Sequence, residues 1–543
     1  MKKLSVAPLR VFFLIFPIFL LLTALCGLLH AQSSQVISVS SAGTLGNAFS
    51  ILSHISGNGR YVVFYSGATN LVAGSANSNF DIFLRDLKTG TTSLISSAAN
   101  GAQGNGDSQL PFISRTGRYV GFGSVATNLV PGRTNTISAC FIVDRALNTI
   151  EQIDPPGNTP YGCLDSLKTR PVITVSEDGR YAAFQGSSNG AALGVYLHDR
   201  KRNETIRITQ NSAGLPVFGW RPVISADGNA VVFSSESTEL SPEYTGNLGR
   251  QIFLYDVKSE TISLVSKNSN GEPANDPCEH PSISDDGKMV LFDSAATNLI
   301  ENDTNGQIDV FLYNRSNGAM SRVSKTVQGT QTSGGMSGFP WISGNGRFAA
   351  YFTRAAIAPG FSGSQFNSVL YDIKNDTTTV LGTTFGGFEA NGDSRYPIVD
   401  NVGRFVTFSS TSSNLDTIDT NGSTDVYLDK NMPCDTFQDA NNNGVPDCLD
   451  PARSTRPETP TFGVKQKRKA VMLMQDFEGA VTYLAQSKCR TKRNGSVKFK
   501  LRNQSSSESS LLMKRLRGTC RLTYRVRQES VTTKKSKRIK GKF

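Results

Sequence analysis

The sequence predicts an all-β protein: a seven-bladed β-propeller closed by its own N-terminal strand, then a short calcium-type loop and a small basic β-rich module. Three observations predict it. A glycine-centred segment returns seven times, and a second apolar segment follows each copy. The strand that should complete the last copy is missing there and stands alone at the front of the chain.

The recurring segment first reads HISGNGRYVVF (54–64). It returns as FISRTGRYVGF (112–122), TVSEDGRYAAF (174–184), ISADGNAVVF (224–233), ISDDGKMVLF (283–292), ISGNGRFAAYF (342–352) and VDNVGRFVTF (399–408). The shared glycine is Gly59, Gly117, Gly179, Gly228, Gly287, Gly346 and Gly403, at intervals of 58, 62, 49, 59, 59 and 57 residues. A period of this size marks one supersecondary unit stacked many times.

Each unit holds the same parts in order. In the first, residues 50–56 are an apolar, β-branched run, and Gly57-Asn58-Gly59 is a turn of small residues that tolerate positive φ. Residues 61–65 read as a second, deeply buried strand. An Asn-Gly or Asp-Gly step between two such runs signals a hairpin. DIFLRD (81–86) is a third strand, and Lys88-Thr89-Gly90 turns the chain into a fourth, TTSLIS (91–96). Four antiparallel strands make one blade. The third strand recurs as ACFIVD (139–144), GVYLHD (194–199), QIFLYD (251–256), DVFLYN (309–314), SVLYD (368–372) and DVYLDK (425–430). No fourth strand follows Lys430, but QVISVSS (35–41) is an unpaired copy of it. Pairing the two ends closes the ring and leaves no open sheet edge between first and last blade. The propeller therefore spans residues 35–430; the 49-residue interval is where a six-bladed ring with one aberrant repeat would show itself.

The hairpins SEDG (176–179), SADG (225–228) and SDDG (284–287), with the D-I-F-x-x-D strand behind them, resemble the TolB-like propeller repeat family. The resemblance covers about 400 of 543 residues, and the family's usual proline after the serine is absent. It implies a periplasmic, cell-surface or secreted propeller that binds other molecules. It implies no catalytic constellation, because the shared residues are turn and core residues.

The N-terminus supports export. Lys2, Lys3 and Arg10 precede a 19-residue apolar run (11–29), and Leu29-His30-Ala31 ends in a small residue. Residues 1–31 have the form of a signal peptide, although the run is long enough to be an uncleaved anchor. Leu25 is too large for the residue before a lipoprotein cysteine at Cys26. Without residues 1–31 no membrane-spanning segment is expected. Seven cysteines then remain, and exported cysteines often pair. Proximity suggests Cys140 with Cys163, Cys434 with Cys448 and Cys489 with Cys520, leaving Cys278.

Charge is segregated. Residues 452–543 carry 25 Lys and Arg against 5 Asp and Glu, whereas residues 1–451 carry 31 against 39. An acidic body with a basic appendage suggests that the two meet different partners.

Between them, residues 431–452 include Asp439, Asn441, Asn443, Gly444, Val445, Asp447 and Asp450. Counted from Asp439, oxygen donors fall at positions 1, 3, 5, 9 and 12, with glycine at 6 and a backbone carbonyl from Val445 at 7, the pattern of a calcium loop. The segment D-x-N-x-N-G-V-P-D-C-L-D also resembles a thrombospondin type 3 repeat, which implies a structural calcium ion. Asn at positions 3 and 5 and Asp rather than Glu at 12 depart from the pattern; an Asx-rich loop pinned by cysteines is the competing reading. Weaker copies, Asp303 to Asp309 and Asp419 to Asp425, precede third strands and read first as hairpin turns.

Residues 453–462 are a proline-containing linker. Within residues 463–531, runs at 469–475, 480–485, 496–502 and 520–527 look strand-like, with a flexible loop at 505–510; a small sandwich or half-barrel with one cationic face follows. Residues 532–543 are expected to be a disordered basic tail. Lys498, Lys500, Arg502, Arg521, Arg525, Arg527, Lys534, Lys535, Lys537 and Arg538 are the candidate anion-binding residues. Their partner would be lipopolysaccharide, acidic polysaccharide or extracellular DNA.

Signals of catalysis are few. His54, His198 and His280 each lie in or beside a strand and read first as core or turn residues. Gly186 to Gly190 matches G-x-S-x-G, but that motif needs a strand-to-helix elbow, and here it follows a blade strand. Only the cluster Asp276, Glu279 and His280 falls where channel-mouth loops are expected. Polysaccharide lyases built on related propellers use His, Arg, Gln and a metal around the channel. The sequence therefore supports a non-enzymatic binding propeller with a protein or glycan ligand, and a carbohydrate-active enzyme with its site in the channel as the alternative.

Overall fold

The computed structural model describes residues 34–431, apart from 76, 157–160, 164–170, 188–189, 247 and 385, together with six strands beyond residue 469. The chain divides into two units, Met1–Pro433 and Cys434–Phe543. The expected signal peptide lies outside the described residues.

The first unit is a seven-bladed β-propeller of antiparallel sheets, and among the described residues there is no helix. Blade 1 consists of Ser50–Ile55, Tyr61–Ser66, Asp81–Asp86 and Thr91–Leu94, hydrogen-bonded in that order. The same order repeats through blade 6. In blade 7, Ser394–Val399, Phe405–Ser410 and Asp425–Lys430 are completed by Gln35–Val36. Gln35 lies opposite Leu428 and Val36 opposite Tyr427. The seal continues beyond this pair: Ile37 N–H donates to the Val426 carbonyl at 2.8 Å, and the Ser38 hydroxyl donates to Asp425 Oδ1 at 2.6 Å.

The shared residues are used up in making each blade. In blade 1 the Ser56 hydroxyl donates to Asn58 Oδ1 at 2.6 Å and accepts the Tyr61 N–H at 3.0 Å, clamping the first hairpin. Gly59 has φ +71°, and a Cβ there would sit 2.6 Å from the Phe405 ring of blade 7. Both turn and blade-to-blade packing therefore require glycine. The arginine after the glycine reaches the aspartate that ends the third strand: Arg60–Asp86 at 2.8 Å, Arg118–Asp144 at 2.8 Å, Arg180–Asp199 at 2.7 Å and Arg347–Asp372 at 2.6 Å. Burial pushes the pKa of Asp86, Asp144 and Asp372 up; the arginine and turn amides more than offset it, and each ends below its ordinary value. Between second and third strands, stacked ring pairs such as Phe64–Phe83 (6.0 Å) and Phe184–Tyr196 (5.6 Å) form the blade centre.

Blade 3 explains the irregular spacings. Its inner strand is split into Tyr161–Gly162 and Ile173–Val175, which lengthens one interval. Its second and third strands are joined by residues 188–193 where blade 1 uses 67–80, which shortens the next. The blade itself is intact, so the ring has seven blades and not six. Cys140 in blade 2 and Cys163 at the split are joined in the expected disulfide. Cys278 is free and buried, as expected; the other cysteine pairings fall outside the described residues.

The second unit is a single six-stranded antiparallel sheet in sequential order: Ala470–Met474, Tyr483–Ser487, Val497–Arg502, Glu508–Leu516, Thr519–Gln528 and Val531–Lys540. Two expectations need correction. Residues 508–510 belong to a strand, not a loop, and most of the expected disordered tail is the last strand, paired along its length with Thr519–Gln528. The charge of this segment concealed a β pattern: Val531, Thr533 and Ile539 alternate in step with Val526, Tyr524, Leu522 and Cys520 on the neighbouring strand.

Candidate functional site at the channel mouth

Every blade presents its inner strand to the central channel, and every inner strand carries the same irregularity. The pairing register shifts between Ile51 and His54, Gln109 and Phe112, Trp220 and Val223, Glu279 and Ser282, Gly338 and Trp341, and Arg395 and Ile398. At each shift one non-glycine residue has positive φ: Leu52 (51°), Leu110 (59°), Arg221 (54°), His280 (52°), Phe339 (56°) and Tyr396 (57°); Cys163 (52°) takes this place at the split of blade 3. Bulges re-aim side chains and are over-represented beside active sites. Each such residue costs on the order of 1–3 kcal/mol. The displaced N–H groups are capped by the preceding blade: Leu52 by Ser409 Oγ at 3.0 Å, Arg221 by Gln185 Oε1 at 2.9 Å and Phe339 by Asp293 Oδ2 at 2.7 Å.

The channel is obstructed further in. His54 of blade 1 lies 4.7 Å from the Phe112 ring of blade 2 and 4.7 Å from the Trp341 ring of blade 6. At the far end the seven hairpin turns are joined one to the next by hydrogen bonds; among these are Asn58 N–H to Arg115 O, Asp227 N–H to Asp285 O and Asn401 N–H to Gly57 O. The Arg115–Asp285 ion pair (2.5 Å) links blades 2 and 5 there. Burial raises the pKa of Asp285 and of Glu177 beside them.

The mouth is chemically lopsided. Blades 1 to 3 contribute Leu52, Leu110 and the disulfide of Cys163. Blades 4 to 7 contribute Arg221, His280, Phe339 and Tyr396. Glu279 bridges two arginines, Arg221 and Arg250, the second at 2.6 Å. The Arg250 guanidinium lies 4.3 Å above Trp220, and Trp220 runs parallel to Phe218 at 5.5 Å. Phe218 is 44% exposed. His280 Nδ1 is 2.9 Å from Asp293 Oδ2, and its ring stacks 3.6 Å from Phe339, which meets Tyr396 edge-on at 5.4 Å. Burial pushes the neighbouring Cys278 thiol up to about 12, so it is no thiolate nucleophile near neutral pH.

Of the cluster read from sequence, Glu279 and His280 reach the mouth. Asp276 lies in the preceding loop, where its carbonyl accepts from Gln251 Nε2 at 3.3 Å. His54 packs in the core, and His198, whose pKa burial lowers, meets Thr205 Oγ1 at 2.9 Å. The serine of the G-x-S-x-G match, Ser188, lies outside the described residues; Ser187 before it ends a strand and donates to the Ala191 carbonyl. Sequence reasoning missed Arg221, Arg250, Trp220, Asp293, Phe339 and Tyr396. One signal was present: Pro111, Pro222, Pro281, Pro340 and Pro397 each follow the bulged residue, and proline inside a strand marks an edge or a bulge.

The calcium-loop residues Asp439, Asn441, Asn443, Val445, Asp447 and Asp450 lie outside the described residues. In the weaker copies, Asn305 Nδ2 donates to Asp309 Oδ2 at 2.8 Å and Asn421 Nδ2 to Asp425 Oδ2 at 2.8 Å; Asp303 pairs with Arg322 at 3.1 Å. Among the described residues no group of three or more His, Cys, Asp or Glu is placed to hold a metal ion, and no helix is long and apolar enough to cross a membrane. In the C-terminal sheet, Arg521 is paired with both Lys514 and Arg538, and Arg525 with Lys534. Lys498, Lys500 and Arg502 alternate along Val497–Arg502, opposite Leu512, Ser510 and Glu508. Arg527 is opposite Thr532, Lys535 opposite Tyr524 and Lys537 opposite Leu522.

No family model and no curated protein matches the chain. Solved structures do. TolB from Acinetobacter baumannii is 17% identical over 61% of this chain and 62% of its own, with a TM-score of 0.34. A putative TolB from Agrobacterium tumefaciens is 16% identical over 51% of this chain and 80% of its own, with a TM-score of 0.32. A Mycobacterium tuberculosis puromycin-hydrolyzing peptidase is 10% identical over 85% and 63%, with a TM-score of 0.43. The chain thus spans 62% of the length of the Acinetobacter protein.

Proposed function

We propose that this chain is an exported, non-enzymatic binding propeller that holds a protein or glycan ligand at the channel mouth over blades 4 to 7. One observation carries the reading: seven strained positions share one backbone conformation, and only those of blades 4 to 7 bear arginine, histidine and aromatic side chains. Arginine and aromatic residues dominate binding hot spots, and partner residues hold these in place before any ligand arrives. The likeness to TolB structures accords with a binding role. The test is capture of envelope proteins and glycans by wild type and by Trp220→Ala and Arg250→Ala. Loss of the same ligand in both variants supports the mouth, and undiminished capture by both removes it.

The basic unit attaches to an anionic surface in this proposal, and the 439–450 loop, near the start of that unit in sequence, binds a structural calcium ion. Truncation after Pro460 should abolish retention on a polyanion column; retained binding would remove that role. A second reading, a carbohydrate-active enzyme, draws on the His280–Asp293 pair beside two arginines. It requires glycan depolymerisation that His280→Ala abolishes.

A further inference from the structure

A different surface carries an inference that does not depend on the mouth. Some neighbouring blades are tied by ion pairs between residues in or next to their third and fourth strands. Glu151 of blade 2 pairs with Arg200 of blade 3, Asp256 of blade 4 with Arg315 of blade 5 at 2.7 Å, and Lys325 of blade 5 with Asp376 of blade 6 at 2.7 Å. In the gap between blades 3 and 4 the residues at the Glu151 and Arg200 positions are Ile206 and Val257. Both are apolar, where the gap between blades 2 and 3 has an ion pair, and Ile206 is 38% exposed on the short outer strand Glu204–Arg207.

The gap opens into a groove of about 820 Å³. Its floor is Ile206, Ile208, Leu240, Tyr255 and Ile262, and burial pushes the Tyr255 hydroxyl up to about 12. Its charged lining residues are Glu204, Glu239, Glu260 and Arg207. Arg207 is spent inside the protein: it donates to the carbonyls of Thr209, Ala192 and Val217 and to the Tyr196 hydroxyl at 2.7–3.0 Å. The three glutamates are exposed. Glu260 also has φ +57°, at a turn position filled elsewhere by Gly90, Asn148, Asn203, Gly318 and Asp376, residue types that accept it more readily.

We propose that this groove docks an extended segment of a partner protein in which apolar residues alternate with lysine or arginine. The alternation suits an apolar floor under an acidic rim, with the edge of the outer strand available for backbone pairing. Charge selects the segment and fixes its direction; apolar contact with Ile206, Leu240 and Ile262 supplies most of the affinity.

The test uses the full chain and a fluorescein-labelled peptide alternating lysine with leucine or valine, followed by fluorescence anisotropy. A control peptide has serine in place of each leucine or valine and the same charge. The alternating peptide should bind wild type, and the serine peptide should bind at least about tenfold more weakly. Ile206→Asp should also weaken binding about tenfold, although it adds a negative charge that would strengthen plain electrostatic adsorption. Glu204→Lys with Glu260→Lys should reduce both affinity and its dependence on salt. Ile206→Ser, with an unchanged melting midpoint, guards against a folding defect. Equal binding of the two peptides, or Ile206→Asp and Ile206→Ser within about twofold of wild type, would overturn the proposal.

Discussion

Ring closure joins the two ends of the propeller, and Ile37→Asp tests it directly. Ile37 is 2% exposed and belongs to the main hydrophobic core. Its N–H holds the Val426 carbonyl, and its neighbours Val36 and Val39 are 1% and 4% exposed. Emptying such an aliphatic site costs about 2–5 kcal/mol. A carboxylate placed there adds the cost of a buried unpaired charge, several kcal/mol more. Asp425 is close by and already destabilised, its pKa pushed up to about 6 by burial. The closing segment should therefore detach instead of burying the new charge, which leaves Asp425–Lys430 as an open sheet edge. Hydrogen exchange measured by mass spectrometry reads this directly. Peptides covering 425–430 should lose protection while those of blades 3 to 5 keep theirs, and the thermal midpoint should fall. Ile37→Ala, which removes only contacts, should cost about 3 kcal/mol with closure retained. A synthetic peptide of residues 34–41 added to Ile37→Asp should restore protection at 425–430. Unchanged exchange and an unchanged midpoint in Ile37→Asp would refute closure by this strand.

Stability should peak below neutral pH. Burial raises Asp425 and Asp429 from 3.8 to about 6, so the folded state prefers them protonated; the stabilisation is complete below pH ~4 and lost as pH rises through ~6, at most about 3 kcal/mol per group. Asp86, Asp144, Asp199 and Asp372 have lowered pKa values; their contribution holds above their unfolded value and disappears as pH falls through the folded one. The thermal midpoint should accordingly be higher at pH 5 than at pH 7.5, and a midpoint that rises from pH 5 to pH 7.5 would contradict these assignments. Gly59→Ala should cost about 2–4 kcal/mol in urea unfolding, from left-handed strain plus overlap with Phe405; a cost below about 0.5 kcal/mol would mean that the turn relaxes freely. Cys163→Ser should lower stability by about 3 kcal/mol under oxidising conditions and make it insensitive to reductant. Calorimetry should show one calcium ion per chain, lost in Asp439→Ala with Asp447→Ala; equal binding by that variant would leave the loop as a turn.

The ring was legible because its making depends on local rules. Ser56, Asn58, Gly59, Arg60 and Asp86 serve one hairpin and its tie to the third strand, and such residues must return wherever the geometry returns. Even blade 3 could be counted, since its anomalies lie in connections and not in the S-x-D-G hairpin. The disulfide was legible because only Cys140 and Cys163 were near each other in that part of the sequence. The mouth was legible only at Glu279 and His280. Arg221 and Arg250 are both brought to Glu279 by the preceding blade, and His280 meets Asp293 across a hairpin and Phe339 across a blade boundary. Spacing within one repeat carries no information about such contacts. The last strand of the basic unit was missed for another reason: lysine and arginine at nearly every second position outweighed an apolar alternation that its partner strand completes.

The ring of bulges separates what folds this protein from what it can recognise. Its seven residues share φ between 51° and 59°, a region glycine would occupy without strain. None of the seven is glycine, so at each position the side chain is worth more than the strain it brings. In blades 1 and 2 the reason is packing, for Leu52 and Leu110 are 8% and 4% exposed and belong to the core. In blade 3 it is a covalent tie. In blades 4 to 7 packing does not suffice as a reason. Arg221 is held against Glu279, His280 against Asp293, and Phe339 and Tyr396 remain partly exposed, although a leucine there would pack without importing charge. A backbone that repeats seven times and carries six residue types at this one position is the observation on which the proposed recognition at the mouth rests.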